Sequence, residues 1–600
     1  LSNTVKYSDF RHGQLVRLHF LIRHRRFRMK NSLYAVSMLA SMMVGTPVFA
    51  APADMLLFNG KVLTVDKAFS IRSAVAVKDG KIVAVGGSEL IKRYPDAQRI
   101  DLRGRTLMPG FIDTHLHVSG LSHRSVEPDK AKSISEIQQM VAAKAKELGP
   151  GEWISGYGWD EALLADNRVP TRADLDVAAP NNPVILTRAG GHSSVSNSAA
   201  LKLAGIDAST PEPDGGMIER SASNEPNGII RERSDLVARL VPLDSKEQMR
   251  PSYIAKLKWL LSLGITTVME AYTSIDDEPE GKGGIGKGGP NDAFASGRHS
   301  WAEFRSIYSE MGADLPRMIT YIAWPGAERL KAFPYHTGYG DDRLKLGPIG
   351  ESPYDGGFTG PTAFTKEDYK RLPGFRGKTF YSQDVAREIV SVSGALGWQV
   401  GIHSIGDQAI EDMAGIYDAE LKAHPKTDHR WFLSHFTMIP SVETMKMMAA
   451  NGTWAAAQPN FLYNLEGRYE QTLDGYRLEH NNPVALPLKA GVKMVFGSDN
   501  LPIGPMVGLY TAITRKGPDG KVFGQEEAVS REEAIRLYTE KAAYLGWDEQ
   551  KKGTLEVGKF ADMIVLDQDP MIASENDLLS AKVDMTMVGG KVVYQRSVGE

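Results

Sequence analysis

An α/β fold built on an eight-stranded parallel barrel is what the sequence predicts, and three observations carry it. Short apolar runs alternate with longer helical patterns through the middle of the chain, as expected of parallel strands joined by crossover helices. Eight such runs can be read in order, the number that closes a barrel: GFIDTHLHV, GITTVMEAY, RMITYIAW, RLKLGPI, WQVGIHSIG, WFLSHF, TWAAAQP and VKMVFGSD. Both ends of the chain instead carry runs that alternate apolar and polar residues around turn-forming pairs, the pattern of short β-hairpins.

The terminal runs are MLLFNGKVLTV and SAVAVKDGKIVAVGG at one end and ADMIVLD and MTMVGGKVVYQ at the other. Hairpin turns are expected at Asn59-Gly60 and Asp79-Gly80. Gly589-Gly590-Lys591-Val592 echoes Asn59-Gly60-Lys61-Val62, so one small β-domain assembled from both ends is predicted, over 51–108 and 551–600. The barrel is placed at 109–550. Its first and second strands are too far apart for one crossover, which predicts an inserted subdomain at 119–263 with a strand of its own at PVILTR.

At 600 residues the chain exceeds the size at which a single core keeps growing, consistent with one large domain and smaller attachments. A formal charge of -3 offers no surplus to neutralise phosphates, so nucleic acid is not an expected partner. There are no cysteines. Disulfides and thiolate metal sites are thereby excluded, and any metal falls to histidine and carboxylate-type oxygen.

Residues 1–50 read as an upstream extension and a targeting segment. Residues 1–28 are rich in Arg and His. From Met29, Lys30 supplies a positive start, Leu33 to Val44 an apolar stretch shorter than the roughly 20 residues of a membrane span, and Val48-Phe49-Ala50 a small-residue cleavage site. A mature chain starting near Ala51, periplasmic or secreted and without stable membrane insertion, is the expectation.

The segment Pro109-Gly110-Phe111-Ile112-Asp113-Thr114-His115-Leu116-His117 carries the chemistry. Side chains alternate along a strand, so His115 and His117 share a side, and at a barrel strand's end that side is the mouth. Two imidazoles there can share one ion at about 2.0–2.1 Å. His403, His435 and Asp499 end later strands of the series; each alone reads as a core histidine or a capping Asp, but in strand register they converge on one site. Lys345, in the fourth run, is either a solvated lysine or, carboxylated by CO₂, an anionic oxygen ligand bridging two metals.

Two loops stand out near the predicted mouth, Ser274 to Ser300 and Gly347 to Thr362. The first contains a near miss to a phosphate-cradling loop at 281–288, but Gly288 stands where Ser or Thr is required and acidic residues precede it in place of a strand. A mobile lid or an insertion is the better reading. Tyr157, Trp159, Tyr354 and Phe358 are either an apolar wall for a substrate or packing. Arg188 pairs either with a substrate carboxylate or, more commonly, with acidic residues of the subdomain.

From about Ala53 to Tyr594 the chain resembles the amidohydrolase superfamily, and within it the YtcJ-like branch that includes N-substituted formamide deformylases. The motifs are LMPGFIDTHLHV, GEWISGYGWDE, PTRADLD, PVILTRAGGHSSVSNSAAL, PDGGMIER, LGITTVMEA, GIHSIGDQAI, VFGSDNLPIGP and GTLEVGKFADMIVLDQDP. The resemblance implies a distorted (β/α)₈ TIM barrel with a small β-sandwich from both termini. It implies metal contacts from His115, His117, Lys345, His403, His435 and Asp499, and a contact role for His192. One departure is visible: the turn after the fourth-strand lysine is usually Asp-Gly-Ser-like, whereas here it reads Leu346-Gly347-Pro348-Ile349-Gly350-Glu351-Ser352. Glu351 is the alternative carboxylate.

The expected activity is metal-dependent hydrolysis of a C–N bond other than a peptide bond in a small molecule: an amide, formamide, carbamate or cyclic amide. One or two divalent ions, zinc first, would lower the pKa of a water. Asp499 would take its proton and pass it to the departing nitrogen, while His192 or His435 stabilises the oxyanion. The competing readings are an esterase or lactonase using the same site, and a non-catalytic periplasmic binding or regulatory protein. Expected partners are the small-molecule substrate and, left open, a second copy in a homodimer.

Overall fold

Eight strands form one parallel sheet in chain order: β1 (Phe111–Leu116), β2 (Ile265–Thr273), β3 (Arg317–Ile322), β4 (Leu344–Gly350), β5 (Val400–Ser404), β6 (Phe432–His435), β7 (Trp454–Ala457) and β8 (Lys493–Phe496). Each coincides with one of the eight runs read from the sequence, β2 and β4 running one residue past theirs to Thr273 and Gly350. The structure is a computed structural model describing residues 52–118, 122–189, 191, 193–213, 216–242, 244–275, 299–358 and 360–597. The expected targeting segment, His192 and the Gly-rich stretch 281–288 lie outside the described residues.

The sheet curls into a distorted (β/α)₈ barrel. Its seam between β8 and β1 is closed by Thr114 Oγ1 donating to the Phe496 carbonyl at 2.8 Å and by Asp499 N–H donating to the His115 carbonyl at 2.7 Å. Because parallel strands are covered on both faces, they read as nearly unbroken apolar runs; β6 and β7 are buried at every position. Ile112, Met269, Ile319, Phe432, Ala456 and Val495 pack as one cluster drawn from six strands. A filled barrel leaves the chemistry to the strand ends. Outside, the helix Gln383–Ala395 is typical: Ser382 Oγ caps it by accepting the Val385 N–H. Ala386, Ile389, Val390 and Ser393 form its buried face, at the three-and-four spacing of an amphipathic helix.

Met55–Phe58, Ala74–Lys78, Lys81–Gly86 and Gln98–Asp101 make a four-stranded sheet. Lys61–Leu63, Ile71–Arg72, Thr106–Pro109, Met563–Leu566, Val583–Val588 and Lys591–Gln595 make a six-stranded one drawn from both ends of the chain. Leu57 and Val75 of the first pack with Leu107, Met563 and Met585 of the second. The turns at Asp79-Gly80 and Gly589-Gly590 close antiparallel hairpins with all four residues at positive φ, as those residue types predict.

The hairpin expected at Asn59-Gly60 is not formed. Asn59 does adopt a φ of 59°, yet Met55–Phe58 pairs in parallel with Gln98–Asp101 while Lys61–Leu63 pairs with Thr106–Pro109 in the other sheet. An Asn-Gly pair specifies a local left-handed bend, not the strand that the departing chain joins. Gly60 is needed for close approach, since a Cβ there would meet Leu102 Cδ1 at 2.5 Å.

Between β1 and β2 lies a further six-stranded sheet, Ser125–Val126, Ile154–Trp159, Val184–Arg188, Ser193–Ser196, Met217–Arg220 and Pro226–Arg231. It contains the strand expected at PVILTR and has its own core around Ile137, Val141, Trp159, Leu175 and Val184. Among the described residues no helix is long and apolar enough to cross a membrane.

Candidate metal centre

Six side chains meet at the carboxyl ends of the barrel strands. His115 lies in β1 and His117 just past it; Glu351 is the first residue after β4; His403 lies in β5, His435 ends β6, and Asp499 follows β8. Three of them stand on left-handed backbone: Glu351 at φ 48°, His435 at 71° and Asp499 at 54°. Such conformations cost about 1–3 kcal/mol each for a residue with a side chain and persist only where the surroundings enforce them. Here the neighbouring strands enforce two: Glu351 N–H donates to the Gly401 carbonyl at 3.1 Å, and Asp499 N–H to that of His115.

Glu351 is the hub. Its Oε1 lies 3.0 Å from His403 Nδ1 and 3.2 Å from His435 Nε2, and its Oε2 lies 3.8 Å from His115 Nε2. Beside it, His117 Nε2 is 3.6 Å from Asp499 Oδ1. Donor atoms of His115, Glu351 and His435 form one tight group and those of His115, His117 and Asp499 a second, with His115 common to both. Gln458, immediately after β7, offers Oε1 at 2.9 Å to His435 Nδ1. With the proton on Nδ1, the lone pair of His435 sits on Nε2, facing the centre.

Burial sets the charges. It pushes the His115 imidazole down to about 4, so that ring is neutral near pH 7. Burial alone would raise Glu351, but the imidazoles of His115, His435 and His403 outweigh it and hold the carboxyl well below the usual range. Burial drives Asp355 up to about 6 against three backbone N–H groups, of Ile405, Gly406 and Phe364, that donate to it at 2.8–2.9 Å. Asp355 Oδ1 also lies 4.0 Å from His403 Nε2.

These residues fit a divalent cation. Both ring nitrogens of His115, Nε2 of His403 and Oε2 of Glu351 are buried without a hydrogen-bond partner among the described residues. Each such atom costs about 1–3 kcal/mol unless something takes its lone pair. A set of imidazole nitrogens and carboxylate oxygens, with no thiolate, suits zinc and similar first-row ions.

Lys345 is not brought to this centre, which corrects the ligand expected from the fourth strand. It is the second residue of β4, at the opposite end, and six residues of extended chain, about 20 Å, separate it from Glu351. Its Nζ donates to the Gly546 carbonyl at 2.7 Å and pairs with Asp548 at 2.7 Å. A lysine held there offers no carboxylated bridge, and Glu351 occupies the place between the histidines. Of the two readings of the aromatic residues, packing is the one that three of them fit. Trp159, Tyr354 and Phe358 are buried, with Trp159 Nε1 donating to the Leu186 carbonyl and Tyr354 Oη to Asp412; Tyr157 alone of the four is exposed. Arg188 pairs with Glu161 and Asp160 of the subdomain. Asp355 and Gln458 were missed, although Gln458 could have been found by reading the residue after each strand.

An eight-stranded parallel barrel with converging histidines and carboxylates at its carboxyl mouth defines the class of metal-assisted barrel enzymes. Comparison with known proteins narrows this. The amidohydrolase family model matches residues 98–594. The N-substituted formamide deformylase of Arthrobacter pascens is 29% identical over 567 residues, 91% of this chain and 99% of that protein. The putative amidohydrolase YtcJ of Bacillus subtilis is 28% identical over 87% of this chain and 96% of its own length. A solved structure of an uncharacterized metal-dependent hydrolase from Pyrococcus furiosus covers 86% of this chain and 100% of its own, with a TM-score of 0.64 at 24% identity, and speaks for the fold. The chain belongs to the amidohydrolase family.

Proposed function

We propose that this chain hydrolyses a C–N bond of a small molecule, an amide, formamide, carbamate or cyclic amide, with His115, His117, Glu351, His403, His435 and Asp499 holding one or two divalent ions, zinc first. The observation that carries the reading is a buried carboxylate, Glu351, surrounded by three imidazoles, two of which, His115 and His403, keep ring nitrogens without a hydrogen-bond partner among the described residues. A bound divalent ion supplies a water of lowered pKa and a Lewis acid for the substrate carbonyl.

The two carboxylates divide the remaining work. Glu351 is enclosed by imidazoles and stays ionised, which suits holding a cation. Asp499 lies nearer the open mouth, with 14% of its side chain exposed, and its Oδ1 is fixed by the Asn500 N–H at 2.7 Å. It is the group placed to accept a proton from water and return it to the leaving nitrogen. The N-substituted formamides named for the Arthrobacter relative make formamides the first substrate class to assay.

Paired formamide, acetamide and ester analogues should be assayed with the wild type and with Asp499→Asn. Turnover of at least one amide, reduced by about 10²–10⁴-fold in the variant, is expected from loss of a proton carrier. Turnover of esters alone, or undiminished amide turnover by Asp499→Asn, would contradict the reading.

A further inference from the structure

Glu270, in β2, carries none of the candidate metal contacts, yet it is almost wholly buried at 1% exposure. The β1–β2 ladder is irregular beside it: the register shifts between Val268 and Glu270, and the last backbone pair is Glu270 with Leu116. Irregular pairing at a strand's end re-aims the side chains beyond it. Past that pair, the N–H of Val118, the residue after His117, donates to Glu270 Oε2 at 2.5 Å. The side chain thus continues a ladder that the backbone has abandoned.

The carboxylate is itself held in place. Oε1 accepts the Tyr272 N–H at 3.0 Å and lies 3.1 Å from His299 Nε2. His299 is 3% exposed, with its ring 4.0 Å from Phe304 and 4.9 Å from Tyr253 between centroids. Its backbone runs beside the continuation of β2, where the Ser274 N–H donates to the His299 carbonyl at 3.2 Å. A buried carboxylate is costly to keep unless paired and hydrogen-bonded, and this one spends a hydrogen bond on the chain leaving His117.

We propose that Glu270, clamped by His299, is a positioning residue for the metal centre, fixing the chain that leaves β1 so that His117 meets Asp499. The inference rests on the metal-centre reading given above. Outer residues that orient ligands typically change metal affinity by about 10–100-fold when replaced.

The test is calorimetric titration of metal-free protein with Zn²⁺ for the wild type, Glu270→Gln, His299→Gln and Asp562→Asn, with Tm measured for each. Glu270→Gln keeps the size but turns one acceptor into a donor, and is expected to weaken Zn²⁺ binding about tenfold or more. His299→Gln should give a smaller loss in the same direction. Asp562→Asn, at the far end of the barrel, should lower Tm and leave Zn²⁺ affinity unchanged. If the wild type binds no Zn²⁺, the metal-centre reading itself falls. If the wild type binds and Glu270→Gln binds as tightly, or Asp562→Asn weakens binding as much as Glu270→Gln, the positioning role is overturned. Should Glu270→Gln fail to fold, undiminished affinity in His299→Gln overturns it.

Discussion

Glu351 and Lys345 carry opposite predictions although six positions apart. Replacing Glu351 by Gln leaves three imidazoles without their shared anion, and metal content should collapse while Tm of the metal-free protein changes little. Replacing Lys345 by Met should leave metal content intact and lower Tm, because Asp548 then keeps one of its two lysine partners among the described residues, Lys552, 2.9 Å away. Elemental analysis of the two variants checks both. Lys345 also sets a pH dependence. Burial lowers its amine to about 8, below its ordinary value, so between about pH 8 and 10.5 the folded chain binds fewer protons at this site than the unfolded chain. Its contribution to stability therefore rises with pH across that window. The Tm difference between wild type and Lys345→Met should shift in favour of the wild type from pH 8 to 10; a flat difference would contradict the assignment.

The seam between β8 and β1 is the element on which the centre depends. Gly497 has no room for a side chain, since a Cβ would lie 2.6 Å from the His115 amide nitrogen and 2.9 Å from its Cβ. Asp113 bridges the same seam from within, its Oδ1 accepting the Ser498 N–H at 2.9 Å and the His115 N–H at 3.3 Å. Gly497→Ala should push β8 from β1, costing about 1–3 kcal/mol as overpacking does, and should weaken metal binding because His115 and Asp499 sit on either side of the gap. Thermal unfolding and metal titration of this one variant test both. Asp113 was not singled out in the sequence because its part is played through backbone amides, which no spacing of side-chain types reveals.

Across the whole molecule, the barrel was legible and the terminal sheets only partly so, for a physical reason. Strands buried on both faces must be apolar at nearly every position, which makes runs such as those of β6 and β7 hard to mistake. In the terminal sheets the partner of each strand is set by tertiary contacts, with Met55–Phe58 and Lys61–Leu63 sent to different sheets, which is why Asn59-Gly60 misled. At the site, His115, His117, His403, His435 and Asp499 were readable as strand-end residues, whereas Lys345 was taken from the wrong end of its strand. The terminal sheets are tied to the barrel floor by Arg317, whose guanidinium donates to both oxygens of buried Asp562 at 2.6 and 3.0 Å. Breaking that pair with Asp562→Asn leaves a buried charge uncompensated, a change worth about 3–5 kcal/mol. Chemical denaturation should show the loss, with the metal content of the folded fraction unaltered.

The most direct test of the account is to follow metal content and formamide hydrolysis together while the purified chain is stripped with a chelator and then reloaded with Zn²⁺. Activity should fall in step with bound metal and return with it. Turnover that continues at full rate after the metal has gone would contradict the account.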